Sequence, residues 1–278
     1  MAAVRHGAEQ EMTNGPGRRL RLALRAARDS VSRPVRHVDA RPWTGSMTVA
    51  ALAAFCLSVL VAVSIDQQAI LWVREARGDT AWLRALAAIT DLGQSQWYLV
   101  PAALFFVAAG LADWSRHGPR GRARLSYVFG QAAFAFAAVA LSGILVNVAK
   151  FLIGRPRPRL MDERGPFGFE PFNVDSAFLS YPSGHSTTVG AVALVLMLWF
   201  PRLRPAIAVV AVVLGFSRVA ALAHYPADVV AGLAFGFLYS LFLARWLGAR
   251  GAAFRLTSSR LLPDPRHPGA WRFRSGNR

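Results

Sequence analysis

Cysteine is almost missing from this chain. Cys56 stands alone, which excludes an internal disulfide and any multi-thiolate metal centre. Lysine is as scarce: of 32 Lys and Arg residues, Lys150 is the one lysine. Acidic residues are few, 15 in 278, and charged residues of either sign make up only 17% of the chain. Hydrophobic residues reach 54% and the mean hydropathy is +0.33. That much apolar side chain does not fit inside a soluble domain of this length, and it comes in long blocks, so the chain reads as a polytopic membrane protein. A cleavable secretory leader is also missing, because the first apolar block starts only at Met47. No internal repeat is visible.

The formal net charge of +17 raises the question of nucleic acid. Its distribution argues against that partner. No basic stripe alternates with aromatics, and no nucleic-acid motif occurs. Arginines instead crowd the two ends and the short polar connections, the pattern of a cytoplasmic membrane face attracted to anionic headgroups.

Residues 1–46 hold nine arginines against four acids and read as a cytoplasmic, largely disordered tail, in which Arg18 to Arg28 has the pattern of a short basic amphipathic helix. Six apolar spans follow, at 47–65, 97–112, 126–149, 186–200, 205–223 and 226–247. Two stretches, Ala69–Val73 and Ala81–Ile89, are too short to cross and carry Trp72 and Trp82, which marks them as interfacial helices. Residues 113–124 and 201–204 read as basic connections, and 248–278 as a second basic, disordered tail. The predicted fold is all-α, with a membrane domain over 47–247. Six crossings put both termini and the four arginine-rich segments on the cytoplasmic side of the cell membrane. The connections 66–96 and 150–185 then face the exterior or periplasm.

Three stretches place ionisable groups beside these apolar runs, where they are costly and serve interior sites. In Lys150-Phe-Leu-Ile-Gly-Arg155-Pro-Arg157-Pro158, the prolines prevent a regular helix and fix an extended backbone. Arg155, Arg157 and Arg159 follow, separated by prolines; a guanidinium so aimed can grip a phosphate with two N–H groups, and Lys150 adds a point charge. Taken alone, the cluster is equally a set of side chains snorkelling to the interface. In Pro182-Ser183-Gly184-His185, a helix start exposes backbone N–H groups to an anion, Ser183 adds a hydroxyl, Gly184 allows close approach, and His185 can move a proton. Taken alone, this is equally an ordinary helix cap. In Ser217-Arg218 to His224-Tyr-Pro-Ala-Asp228, His224 and Asp228 stand four apart, so a carboxylate reaches an imidazole whose other nitrogen stays free, and Arg218 can neutralise phosphate oxygens. A structural ion pair between Arg218 and Asp228 is the competing reading.

The three patterns K-x6-R-P, P-S-G-H and S-R-x5-H-x3-D occur in order and without substitution. Together they resemble the type 2 phosphatidic acid phosphatase superfamily over roughly residues 90 to 247. The resemblance implies a metal-independent lipid phosphate phosphatase without cofactor. It implies that His224 attacks phosphorus and forms a phosphohistidine, that Asp228 orients it, and that His185 protonates the leaving oxygen and then activates water. Lys150, Arg157, Ser183, Gly184 and Arg218 would hold the phosphoryl oxygens. The substrate would be a membrane lipid phosphate at the outer bilayer surface, of the undecaprenyl diphosphate, phosphatidic acid or phosphatidylglycerol phosphate type. Three other readings stay open: a phosphotransferase using the same histidine, a non-catalytic anion transporter, and the vanadium haloperoxidases, which share the constellation but are soluble. Oligomeric state is not legible.

Overall fold

The computed structural model describes residues 15–32, 34–35, 41–257 and 260–266. Residues 1–14, 36–40 and 267–278, parts of the two predicted tails, lie outside the described residues. Among the described residues ten α-helices follow in order: α1 (Pro16–Ser32), α2 (Gly45–Ser64), α3 (Asp66–Ala76), α4 (Ala81–Ala88), α5 (Gln96–Leu111), α6 (Pro119–Ile153), the single turn α7 (Met161–Arg164), α8 (Gly184–Trp199), α9 (Arg204–Ala220) and α10 (Pro226–Ala249). Strands β1 (Phe254–Arg255) and β2 (Asp264–Pro265) form one short antiparallel pair.

Among the described residues, four segments are long and apolar enough to cross a membrane: Gly45–Ser64, Pro119–Arg164, Pro201–Ala220 and Pro226–Ala249. They make this a membrane protein. The other two expected spans are shorter. Helices α5 and α8 have 16 residues each, about 24 Å at 1.5 Å per residue, against roughly 30 Å of hydrocarbon. Pro101 lies inside α5, and α8 starts at the buried cap Ser183. The two short stretches expected as helices lie in α3 and α4, whose Trp72 and Trp82 rings lie 5.9 Å apart. Residues 119–124, expected in a loop, form the first turns of α6. Arginine is a good helix former and Pro119 suits a first helical position, so the charge that marks this segment as polar does not prevent helix.

The chain divides into two compact units. The first takes in residues up to 42, 100–134 and 244 onward. Phe106 and Phe129 stack in it at 4.6 Å, Phe134 meets the buried Phe254 edge-on at 4.7 Å, and Arg19 pairs with Asp113 at 2.9 Å. The sequence predicts disorder beyond 248, yet Arg245 donates to the carbonyl of Leu261 at 2.8 Å and β1 pairs with β2.

The second unit, 43–99 with 135–243, contains all three chemical stretches. In it α8 packs closely on α10. The helices meet through small residues: a Cβ at Gly236 would stand 2.0 Å from the Thr187 carbonyl oxygen. Close backbone approach of this kind is how membrane helices pack without a hydrophobic drive. A second tight point fixes the exit from α6. Gly154 has φ +63°, and a Cβ there would lie 1.7 Å from the carbonyl oxygen of Glu170. The Glu170 N–H donates to the Gly154 carbonyl at 2.8 Å. This contact pins the loop across the chain that leads into Arg155 and Arg157. Gly154→Ala is therefore expected to destabilise by more than about 3 kcal/mol, read as a lower Tm in detergent. An unchanged Tm would contradict the described loop.

Candidate active site

The turn between α9 and α10 sets the orientation of His224. The N–H of Ala223 donates to the Arg218 carbonyl at 3.0 Å, and Leu222 takes φ +56°. A left-handed leucine costs about 1–3 kcal/mol. Its side chain packs on the apolar cluster of Ile70, Val73, Met161, Val219, Tyr225 and Val229, which offsets that cost. Pro226 then opens α10, and Asp228 projects from its first turn.

His224 and Asp228 are both buried, 1% and 0% exposed. Nδ1 of His224 lies 3.3 Å from Oδ2 of Asp228. A carboxylate only accepts, so Nδ1 carries the proton and Nε2 keeps its lone pair. Burial holds the His224 imidazole well below the ordinary histidine range, against the pull of Asp228. A neutral ring with one free nitrogen is the form a nucleophile needs. Asp228 Oδ2 also accepts from Ser180 Oγ at 2.5 Å and from the Tyr225 N–H at 3.0 Å.

Ser183 caps α8. Its side chain accepts from the Ser186 N–H, and its own N–H donates to the Asp228 carbonyl at 3.0 Å, which ties the second stretch to the third. The Lys150 ammonium sits over Gly184, about 3.8 Å from where a Cβ would be, and donates to the Leu179 carbonyl at 2.8 Å. The first stretch thereby reaches the second. Gly93, at the end of the 3-10 turn Ile89–Gly93, lies against His185. The charge of Arg157 acts on Lys150, His185, Arg218 and His224, so all eight residues singled out in the sequence share one neighbourhood.

The cations are not spent on carboxylates. Arg218 Nη1 donates to Thr90 Oγ1 at 3.0 Å, and no ion pair joins Arg218 to Asp228 among the described residues. The Nε atoms of Arg157 and Arg218 are buried without a hydrogen-bond partner. Buried guanidinium N–H groups are costly to leave unpaired. Three cations, a helix N-terminus and few acids make a site for an oxyanion.

The structure assigns Asp228 a different cation from the one the sequence offered. Arg155, set beside Arg157 as a phosphate-side arginine, is 2% exposed and bridges Asp228 and Asp66 at 2.6 and 2.7 Å. Asp66, Ser180 and Thr90 were not foreseen. Asp66 stands in a mixed-charge segment, Ser180 in a loop rich in small residues, and Thr90 in a short turn, so nothing local sets them apart.

Residues 131–252 match the PAP2 superfamily. A lipid A 1-phosphatase of Rhizobium etli is 41% identical over 188 residues, covering 66% of this chain and 81% of that protein. A lipid A 1-phosphatase of Rhizobium johnstonii is 42% identical over 168 residues, covering 60% and 69%. Among solved structures, a transmembrane PAP2 type phosphatidylglycerolphosphate phosphatase from Bacillus subtilis is similar at 22% identity and a TM-score of 0.46, covering 69% of this chain and 93% of that one. Motifs, helical membrane architecture and relatives agree, and the chain belongs to the PAP2 superfamily.

Proposed function

We propose that this protein removes the 1-phosphate of lipid A, or a chemically equivalent sugar-1-phosphate on a lipid anchor, through a phosphohistidine on His224. The activity class, lipid phosphatase, follows from the family and its relatives. The substrate is taken from those relatives, and it lies outside the three lipid types expected from the sequence. One observation carries the mechanism: a buried imidazole, tied at Nδ1 to Asp228, faces a neighbourhood with two arginine Nε atoms that have no partner.

The steps balance as follows. The Nε2 lone pair of His224 attacks phosphorus as the P–O bond to the lipid breaks. The leaving oxygen takes a proton from His185. The phosphorylated imidazole is cationic, and Asp228 stabilises it. Lys150, Arg157, Arg218, Ser183 and the Gly184 N–H hold the phosphoryl oxygens, where transition-state charge builds up. Water, losing a proton to His185, then attacks phosphorus, the P–N bond breaks, and phosphate leaves. Neither step calls for a metal or cofactor. The bilayer is the working environment: six crossings, both termini in the cytoplasm, and the site at the outer face of the cell membrane, within reach of a headgroup phosphate.

Phosphate release by purified protein in detergent with EDTA tests this reading. The panel is lipid A with and without its 1-phosphate, undecaprenyl diphosphate, phosphatidic acid and phosphatidylglycerol phosphate. Fastest release from 1-phosphorylated lipid A is expected. Faster release from another lipid overturns the substrate. Loss of activity in EDTA with recovery in Mg²⁺ overturns the metal-free site. Transfer of the phosphoryl group to an added lipid alcohol in preference to water would make this a phosphotransferase. No release, with anion flux in liposomes, would make it a transporter. A cysteine at position 170 that an impermeant reagent labels only in inverted vesicles would reverse the topology.

A further inference from the structure

We infer that Asp66 and Arg155 are positioning residues that keep the carboxylate of Asp228 aimed at His224. The inference rests on the function proposed above. Arg155 uses its whole guanidinium: Nη1 donates to Asp228 Oδ1 at 2.6 Å, Nη2 to Asp66 Oδ2 at 2.7 Å, and Nε to the Pro166 carbonyl at 3.1 Å. Its plane also lies over the Tyr225 ring, 4.4 Å from the centroid.

A guanidinium facing a single carboxylate takes both oxygens in a fork. Here Asp66 occupies the second arm, so Arg155 engages only Oδ1 of Asp228. Oδ2 stays available to the Tyr225 N–H, to Ser180 and to His224 Nδ1. Charge follows the same division. One guanidinium between two carboxylates leaves a net single negative charge beside the imidazole, which needs it most when phosphorylated and cationic. Without Asp66 the local sum falls to zero, and Arg155 is free to close on both oxygens of Asp228.

Asp66 makes a second contact with the same effect. Its Oδ1 accepts the Ala227 N–H at 2.9 Å, one residue before Asp228. An acid there satisfies a first-turn donor of α10 and suits the helix dipole. The interfacial helix α3 thus anchors the turn that presents the catalytic pair. Asp66 and Asp228 are both 0% exposed. Buried ion pairs add little net stability compared with apolar packing, which leaves geometry as the purpose of this one.

Asp66→Asn tests the idea, because the amide oxygen still accepts from Ala227 while the charge is gone. The expected result is a kcat at least about tenfold lower. KM and inhibition by inorganic phosphate should stay within about twofold, since the phosphate-side cations are untouched. The double variant Asp66→Asn with Arg155→Met removes the competing guanidinium and should recover several-fold of the lost kcat. A structural role alone predicts a worse double variant. A wild-type kcat in Asp66→Asn, or a double variant no better than the single, overturns the inference. A thermal cycle needs no activity: Asp66→Asn and Asp228→Asn should shift Tm non-additively through Arg155, and additive shifts overturn the bridge. Should the wild type release no phosphate from any lipid, the proposed function fails, and this cycle still decides the bridge.

Discussion

Replacing His224 with alanine is expected to abolish phosphate release, with kcat lowered by about 10⁴-fold or more, the scale on which loss of a nucleophile acts. The size of the effect follows from the surroundings of the ring. Nδ1 is committed to Asp228, so Nε2 is the nitrogen left to react. Burial keeps that nitrogen unprotonated. Ser180 donates its proton to Asp228 at 2.5 Å, and the Ser183 oxygen accepts from the Ser186 N–H while its own proton serves the phosphate. Binding should survive, because Lys150, Arg157 and Arg218 do not depend on the imidazole. Inhibition of lipid binding by inorganic phosphate should therefore persist in His224→Ala. A variant with more than about a hundredth of wild-type turnover would remove His224 from the reaction.

Replacing His185 with alanine is expected to cost about 10²–10⁴-fold on a lipid phosphate, the usual contribution of a general acid. The loss should depend on the leaving group. A sugar-1-oxygen is a poor leaving group and needs a proton as the P–O bond breaks. p-Nitrophenyl phosphate releases a stabilised phenolate and does not. The variant should thus be near wild type in the first step on the nitrophenyl ester and slow in the second, with phosphoenzyme accumulating. The position of His185 fits this role. It follows the capped start of α8, lies against Gly93, and shares the field of Arg157, Lys150 and Arg218 with the phosphate site. An equal loss in the first step on both substrates would reduce His185 to a packing or binding residue.

Much of this site is legible in the sequence for one physical reason: ionisable residues are expensive beside long apolar runs, so each stands out. Lys150, Arg157, His185, Arg218, His224 and Asp228 all stand out that way, and the structure brings them into one neighbourhood. Helix positions were legible from hydropathy, and α2, α9 and α10 lie within a few residues of the expected spans. Legibility ended where a residue's role depends on a distant partner. Asp66 meets Arg155 across 89 residues and Ala227 across 161. Ser180 meets Asp228 across 48. Arg155 shows the same limit from the other side. Its neighbours in sequence are phosphate-side residues, but its partners in space are carboxylates, and only the fold separates Arg155 from Arg157. The arginines at the start of α6 misled by charge, which reports solvent or headgroup exposure and not the absence of helix. The residues after Ala249 read as a tail by composition, although Phe254 is buried against Phe134.

The central claim is a covalent bond between phosphorus and His224. The direct measurement is alkaline quenching of His185→Ala protein during turnover of p-nitrophenyl phosphate carrying labelled phosphate, followed by peptide mapping at alkaline pH. The account predicts label near one equivalent per chain, stable in base and lost in acid, on the peptide containing His224, and no label in His185→Ala with His224→Ala. Label on any other residue, or turnover without any labelled protein, would contradict it.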